Sequence, residues 1–570
     1  MRRRSLIVSG AGAVASVAAA LLGACGRAPA PRNGQRGPIE MRWVGLGAER
    51  GHRLREAGAA AAAWPAPPRR VGALVVGGGV AGLAAARALV RRGIDDVHVL
   101  ELEDAVGGNA RAHEMAGLAC PLGAHYLPLP GPQAHEVSEW LHEIGLLATD
   151  AAGRVRADER HLCHSPQERL FFEGQWVEGL LPPAPPRSRR LAQYQRFAAR
   201  VAAQQRLGSG GRPAFCLPAH RSAWTPALAA LETLTFADWL AREGMDDGAL
   251  LAYLDYCCRD DYGAGLSDVS AWAGVHYFAS RHGFSAPGDG DAIEGRDGRE
   301  HGRDDSREAG RDGGRESARE AVFTWPEGNG WLTQRLAAGL GEERLHPGQI
   351  ALAVREGKHS VSVLAAQART ARLQAWEAGL VVVALPSFVA ARLVQPASST
   401  LRSALAAAAG ALTYAPWLVA NMQLDKPLLD RIVGAAPAWD NVVHGGRGLG
   451  YVDASHQRLT QPGGGPVVLT AYHALPAAER ASLLEADPRP WGERVLADLE
   501  PAHPDLRQRV QRIDLVRYGH AMAVPRPGLQ RHPALAALRG ARGRLRFAHA
   551  DLAGYSVFEE AFTAGHEAGS

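Results

Sequence analysis

The sequence predicts an α/β protein whose parallel sheet begins at Val71, and three observations carry that reading. The apolar run Leu74-Val75-Val76 leads straight into a glycine turn, Gly77-Gly78-Gly79-Val80-Ala81-Gly82. A stretch of high helix propensity, Leu83 to Arg92, follows and stops at Gly93. A second apolar run, Val97-His98-Val99-Leu100, then closes on an acid, Glu101. Strand, turn, helix, strand and acid stand in the register of a βαβ unit.

Each part has a physical task. The β-branched run suits a strand buried on both faces. Gly77 permits a tight turn, Gly79 lets a pyrophosphate approach the backbone, and Gly82 lets helix and strand pack closely, with Gly78 and Ala81 completing the loop. The helix start offers unpaired N–H groups and a positive dipole end to phosphates. Glu101 lies 19 residues after Gly82, where a carboxylate accepts hydrogen bonds from ribose hydroxyls. In a chain with 66 glycines a lone G-x-G-x-x-G would mean little. The register makes it a Rossmann-type dinucleotide site.

Beyond Glu101 the chain reads Gly107-Gly108-Asn109-Ala110-Arg111, then Gly123-Ala124-His125-Tyr126. Further along come Phe323 to Gly330 before a helical stretch, Ile350 to Val354, Val381 to Pro386, and Leu545 to Asp551 followed by Gly554 and Glu559 to Gly565. These islands together resemble the flavin-containing amine oxidase superfamily, which includes amine oxidases, protoporphyrinogen oxidase and phytoene desaturases. The resemblance frames residues 71–570 and implies FAD as cofactor. It implies that Gly107, Gly108 and Gly123 pass the flavin and that the backbone near Val354 meets the adenine side. It further implies Asp551 as the acid near the ribityl–phosphate region, with the helix start at Ser556 and Val557 facing the pyrimidine end. Asn109 stands where the family has arginine, so Arg111 is the substitute cation. The strand after Pro386, where many amine-oxidising members carry a lysine, reads Tyr414 to Met422 and has none.

The resemblance makes the cofactor domain discontinuous, over 71–150, 321–405 and 515–570, with an interleaved α+β substrate domain over 151–287 and 406–514. Residues 288–320 alternate Gly, Asp, Glu and Arg with almost no apolar side chains and read as a disordered insertion. Candidate chemistry lies in His125 and Tyr126, beside the expected flavin, and in Arg259 and Asp260 within Tyr256-Cys257-Cys258-Arg259-Asp260-Asp261-Tyr262. A structural ion pair is the competing reading for Arg259, and a packed histidine for His125. The six cysteines form no C-x-x-C pair, so no metal site is expected. A net charge of +4 spread over 570 residues gives no electrostatic footprint for nucleic acid.

Residues 1–25 read as an export signal. Arg3-Arg4-Ser5-Leu6-Ile7 resembles the twin-arginine type, and Leu6 to Ala24 carries no charge. Leu22-Gly23-Ala24-Cys25 resembles a lipobox, which would attach the periplasmic protein to the membrane through lipid on Cys25. An uncleaved anchor is the competing reading. Residues 26–70 read as a linker. The expected protein is an exported FAD-dependent oxidoreductase moving hydride or its equivalent from a small or apolar substrate to flavin. The remaining readings are a desaturase or isomerase of apolar substrates, a flavin-bearing assembly or electron-transfer protein, and an NAD-binding protein without flavin.

Overall fold

The computed structural model describes residues 37–53, 64–287, 321–429, 434–458, 465–485 and 487–570. The export signal, the lipobox and the insertion at 288–320 lie outside the described residues. Met41–Ser570 forms one compact unit. Met1–Glu40 is a separate unit, of which only 37–40 are described.

The βαβ unit is β1 (Arg69–Val76), α1 (Val80–Arg91) and β2 (Val97–Leu100). Along β1, Leu74 and Val76 enter one apolar cluster while Ala73 and Val75 enter another, so the strand is covered on both faces. The sheet is completed by β3 (Leu345–His346), β4 (Gln349–Glu356), β5 (Val361–Gln367) and β6 (Leu373–Val383). Its order is β3-β2-β1-β6-β5-β4, with Val394–Gln395 at the edge of β4 and Leu545–Phe547 beside the end of β6. The strands β3, β2, β1 and β6 are parallel to their neighbours, whereas β4 and β5 form an antiparallel excursion from β6. Three distant stretches of sequence thus build one sheet.

Helix α2 (Gly248–Tyr262) starts on Asp247, whose carboxylate accepts from Ala249 N and Leu250 N, and stops at Gly263 in the left-handed region. A second sheet contains β7 (Tyr414–Leu424), β8 (Val467–Ala474) and β9 (Val510–Ala523) in the order β9-β7-β8. Val419 of β7 is opposite Tyr472 of β8, and Trp417 is opposite Tyr518 of β9. Side chains two apart along a strand share a face, so these four form one patch. The last helix, α3 (Phe558–Gly569), packs against α1 with backbones in near contact. A Cβ added at Gly565 would lie 2.0 Å from the Ala81 carbonyl oxygen.

Candidate active site

One cavity of about 500 Å³ runs from the glycine turn of the first sheet to the aromatic patch of the second. At its first end the wall is backbone. Gly77 has φ +109, and a Cβ there would sit 2.3 Å from the Ala384 carbonyl oxygen. Gly82 does not line the cavity; a Cβ on it would lie 1.8 Å from the Gly77 carbonyl oxygen, so its task is the tight helix–turn packing. Gly107 N donates to Gly78 O at 2.8 Å, locking the double glycine against the turn. Glu101 is buried, accepting from Gly78 N at 2.8 Å and from Glu103 N at 2.9 Å, and burial raises its pKa.

The residues present fit FAD. The glycine cradle and the open N-terminus of α1 suit a diphosphate, and Glu101 suits a ribose. The start of α3 puts Ser556, Val557 and Phe558 on the same cavity. Its volume falls within the roughly 300–1,000 Å³ of cofactor and ligand sites.

Of the residues expected at the cofactor from the sequence, Gly77, Gly78, Gly79, Ala81, Glu101, Gly107, Gly108, Gly123, Ser556 and Val557 line this cavity. Besides Gly82, the expected residues Val354, Asp551 and Arg111 do not. Val354 is fully buried in the apolar core beneath β4, and Gln349 and Ala351 at the start of that strand face the cavity instead. Asp551 is also fully buried; its carboxylate accepts from Ser387 N at 2.7 Å and Tyr414 OH at 2.6 Å. Burial works against its charge, but His549, Tyr414 and Ser387 together hold its pKa below the usual range. Asp551 therefore braces the segment from which His549 and Ala550 reach the cavity. Arg111 donates to Gly108 O at 3.2 Å from behind the double glycine.

At the second end the wall is side chain. His125 stacks on Tyr472 with ring centroids 4.4 Å apart, and Tyr126 and Trp439 pack on its other sides. Burial pushes its pKa down to about 3, so the imidazole is neutral. The Tyr472 and Tyr518 hydroxyls donate to the Gly123 and Leu122 carbonyls, at 3.0 and 2.7 Å, and so tie the second sheet to the glycine segment.

The last turn of α2 separates the two candidates it carries. Arg259 lies off the cavity, bound to Asp255 at 3.0 Å and to the Arg447 carbonyl at 3.1 Å, as a structural ion pair. Asp260 lines the cavity and accepts from Tyr126 OH at 3.3 Å. Burial first, and then the charge of Asp261, raise Asp260 to about 7. Asp261 is bound to Arg281 at 3.2 Å. The buried pair Cys257 and Cys258 packs in the core of the second region with pKa values raised by burial, and the His276 ring lies tilted against Trp272, centroids 4.5 Å apart.

Sequence reasoning missed Trp417, Val419, Tyr472, Tyr518 and Arg281 at the cavity. Alternation along β7 was the available signal, but which face meets the cofactor is set by pairing with strands more than 40 residues away. Neither Lys358 nor Lys426 lines the cavity. Among the described residues, no group of His, Cys, Asp or Glu could hold a metal ion, and no helix is long and apolar enough to cross a membrane.

The model of the family "Flavin containing amine oxidoreductase" matches residues 80–569. A curated relative from Mycobacterium tuberculosis, "Putative flavin-containing monoamine oxidase AofH", is 40% identical over 83 residues. That alignment covers 15% of this chain and only 17% of the relative. Among solved structures, putrescine oxidase bound to putrescine superposes with TM-score 0.59 at 17% identity, over 88% of this chain and 99% of that one. Cyclohexylamine oxidase from Brevibacterium oxydans gives 0.60 at 17%, over 88% and 98%. A fatty acid isomerase from P. acnes gives 0.55 at 15%, over 87% and 97%. At such identities the likeness is one of fold.

Proposed function

The chain belongs to the flavin-containing amine oxidoreductase family and is an FAD-dependent oxidoreductase, and from that premise we propose that its substrate is a small organic amine. One observation carries the choice: a carboxylate, Asp260, faces the cavity within an aromatic wall of His125, Tyr126, Trp417 and Tyr472. Aromatic faces attract a cation, and a desolvated carboxylate does so more strongly. The cation that also lines this wall, Arg281, is bound to Asp261 and leaves Asp260 to the ligand. The names of the putrescine and cyclohexylamine oxidases point the same way.

FAD bound along the glycine cradle would supply the acceptor for two electrons and a proton, a hydride equivalent; the protein's residues bind and orient what gives them up. The first turn of α3 presents N–H groups and the positive end of its dipole to the cofactor, which favours charge gained on reduction. The aromatic wall excludes water from the substrate's α-carbon.

Anaerobic mixing with benzylamine, cyclohexylamine and putrescine, followed at the flavin absorbance near 450 nm, tests the reading. Bleaching by at least one amine supports it. Bleaching only by an unsaturated fatty acid, or only by a protein partner, would replace it with an apolar-substrate enzyme or an electron-transfer protein.

The proposed place of action is the periplasmic side of the inner membrane. It rests on Arg3-Arg4 ahead of the uncharged run to Cys25, and on the need to load FAD before crossing. Changing Arg3→Lys with Arg4→Lys should leave yellow protein in the cytoplasm, and Cys25→Ala should release exported protein from membranes. Full periplasmic delivery of the double variant would end the twin-arginine reading.

A further inference from the structure

Asp260 occupies an unfavourable place for a carboxylate. It lies in the last turn of α2, where the helix dipole is negative, three residues before the stop at Gly263. The groups that face it are mixed in sign. On its own helix are Tyr256, Arg259 and Asp261; Tyr126 faces it from the strand after the glycine segment, and Arg281 from beyond the helix Ala271–Ala279. Tyr472 faces it from β8, and Asp440 from the strand Asp440–Val443. Arg281 and Arg259 bind Asp261 and Asp255. The tyrosines are held neutral by burial. What remains for Asp260 is one hydrogen bond from Tyr126 and the open cavity.

We propose that Asp260 is the base that removes a proton from the substrate's ammonium group before the neighbouring C–H bond breaks. The proposal rests on the amine reading above. An alkylammonium has a pKa of about 10 and enters protonated at neutral pH. In that form nitrogen has no lone pair with which to form C=N. The ammonium N–H bond breaks, its proton goes to an oxygen of Asp260, and the electron pair stays on nitrogen. The nitrogen pair is then free to close a C=N bond as the α-C–H bond breaks, and FAD held along the glycine cradle would supply the two-electron acceptor that takes that hydrogen together with its bonding pair.

Other cavity groups suit the task less. His125 has a pKa near 3 and is too weak a base. Tyr126 is held protonated, since burial raises it well above its ordinary value. Asp261 is bound to Arg281. A carboxylate brought to about 7 is better matched to the proton than an ordinary one.

The test uses FAD-loaded wild type, Asp260→Asn and Asp260→Glu, each checked first for flavin content. Flavin reduction is followed anaerobically with benzylamine, cyclohexylamine and putrescine. In wild type the saturating rate should rise along a limb centred near pH 7. In D260N the limb should vanish and the neutral-pH rate fall about 100-fold. That rate should recover toward pH 10, where free amine is bound directly, and D260E should restore a limb. The second readout needs no turnover: tetramethylammonium binding at pH 7, measured by heat in two buffers of different ionisation enthalpy, should expel a proton from wild type and none from D260N. A D260N protein with its limb intact and its saturating rate within twofold of wild type would overturn the role of Asp260 alone. A wild-type flavin that none of the three amines bleaches would instead overturn the amine reading, and this proposal with it.

Discussion

The two ends of the cavity are built from different materials. At the cofactor end the wall is largely backbone, shaped by Gly77, Gly79, Gly107 and Gly108, with the acidic side chains of Glu101 and Glu559 beside it. At the substrate end it is side chain: His125, Tyr126, Asp260, Trp417 and Tyr472, gathered from a loop, a helix and three strands. Backbone sites depend on what a residue lacks, so few changes are tolerated and each acts locally. Side-chain sites depend on register between distant strands, so a change alters chemistry and leaves the fold standing. The expected costs of substitution run from about 4 kcal/mol at the glycine turn to a few tenths of a kcal/mol at Arg259.

The largest effect should come from the turn. Gly82→Ala would drive a methyl group to 1.8 Å from the Gly77 carbonyl, and the Gly77 backbone is itself wedged against Ala384. Relief requires moving α1 away from β1, a distortion costing about 4 kcal/mol or more. The flavin-to-protein absorbance ratio should fall below about a tenth of wild type. By contrast, Gly93→Ala meets no atom within 4 Å and strains only its φ of +85, so it should cost about 1 kcal/mol and keep its FAD. Equal loading in both variants would refute the backbone account.

Acid should unfold the substrate region's core ahead of any acid effect from Asp551. His125 and His276 are neutral in the native state with pKa values near 3, because burial opposes their charge. Above their ordinary value of 6.5 neither state is charged, and the stability is complete. As pH falls from 6.5 toward 3, the unfolded chain binds protons that the native chain refuses. Stability then drops by at most about 1.4 kcal/mol per pH unit for each histidine. Asp551, with its pKa lowered from 3.8, adds its own loss only below that value. Asp260, raised to about 7, works in the opposite sense over the same range, so the check is differential: between pH 7 and pH 4.5 the urea midpoint of wild type should lose ground to that of His276→Leu.

Tyr472→Phe probes the seam between the two ends. It removes the hydroxyl that satisfies the Gly123 carbonyl at 3.0 Å, and keeps the ring that stacks on His125. The Gly123 carbonyl is half-buried and keeps its hydrogen bond with His125, so losing the tyrosine hydroxyl costs about 0.5–1.5 kcal/mol. Flavin content should stay near wild type, while melting temperature and the flavin reduction rate both fall. A drop in flavin content as steep as that of Gly82→Ala would merge the two ends into one.

The same contrast explains how much was legible in the sequence. The run from β1 to Glu101 is local: its glycines, strands and acid sit within one stretch, and the structure assembles them as a βαβ unit lining the cavity. The resemblance extended that reach to Ser556 and Val557, because a helix start facing a cofactor is again a backbone feature. It did not give the direction of a side chain. Asp551 was expected at the cofactor, yet its carboxylate turns to Ser387 and Tyr414. Val354, expected to meet the adenine side through its backbone, lies three residues along β4 from Ala351, which lines the cavity with Gln349. In β7 the sequence registered a missing lysine, whereas Trp417 and Val419 reach the cavity through pairing that no local pattern encodes.

Arg259 gives the smallest expected effect and the sharpest check on direction along a helix. It adjoins Asp260 in sequence, but successive residues on a helix are about 100° apart and face different surroundings. Its guanidinium is bound to Asp255 one turn earlier and to the Arg447 carbonyl, away from the cavity. The pair is partly exposed, with side chains 23% and 38% accessible, so solvent screens it. Arg259→Ala should cost about 0.3–0.5 kcal/mol, a change in urea midpoint near the limit of detection. Flavin content and the saturating rate of flavin reduction by an active amine should match wild type across pH 6–9. A rate lowered tenfold without loss of stability would place Arg259 at the substrate after all, and would mean that the last turn of α2 rotates when the cavity is filled.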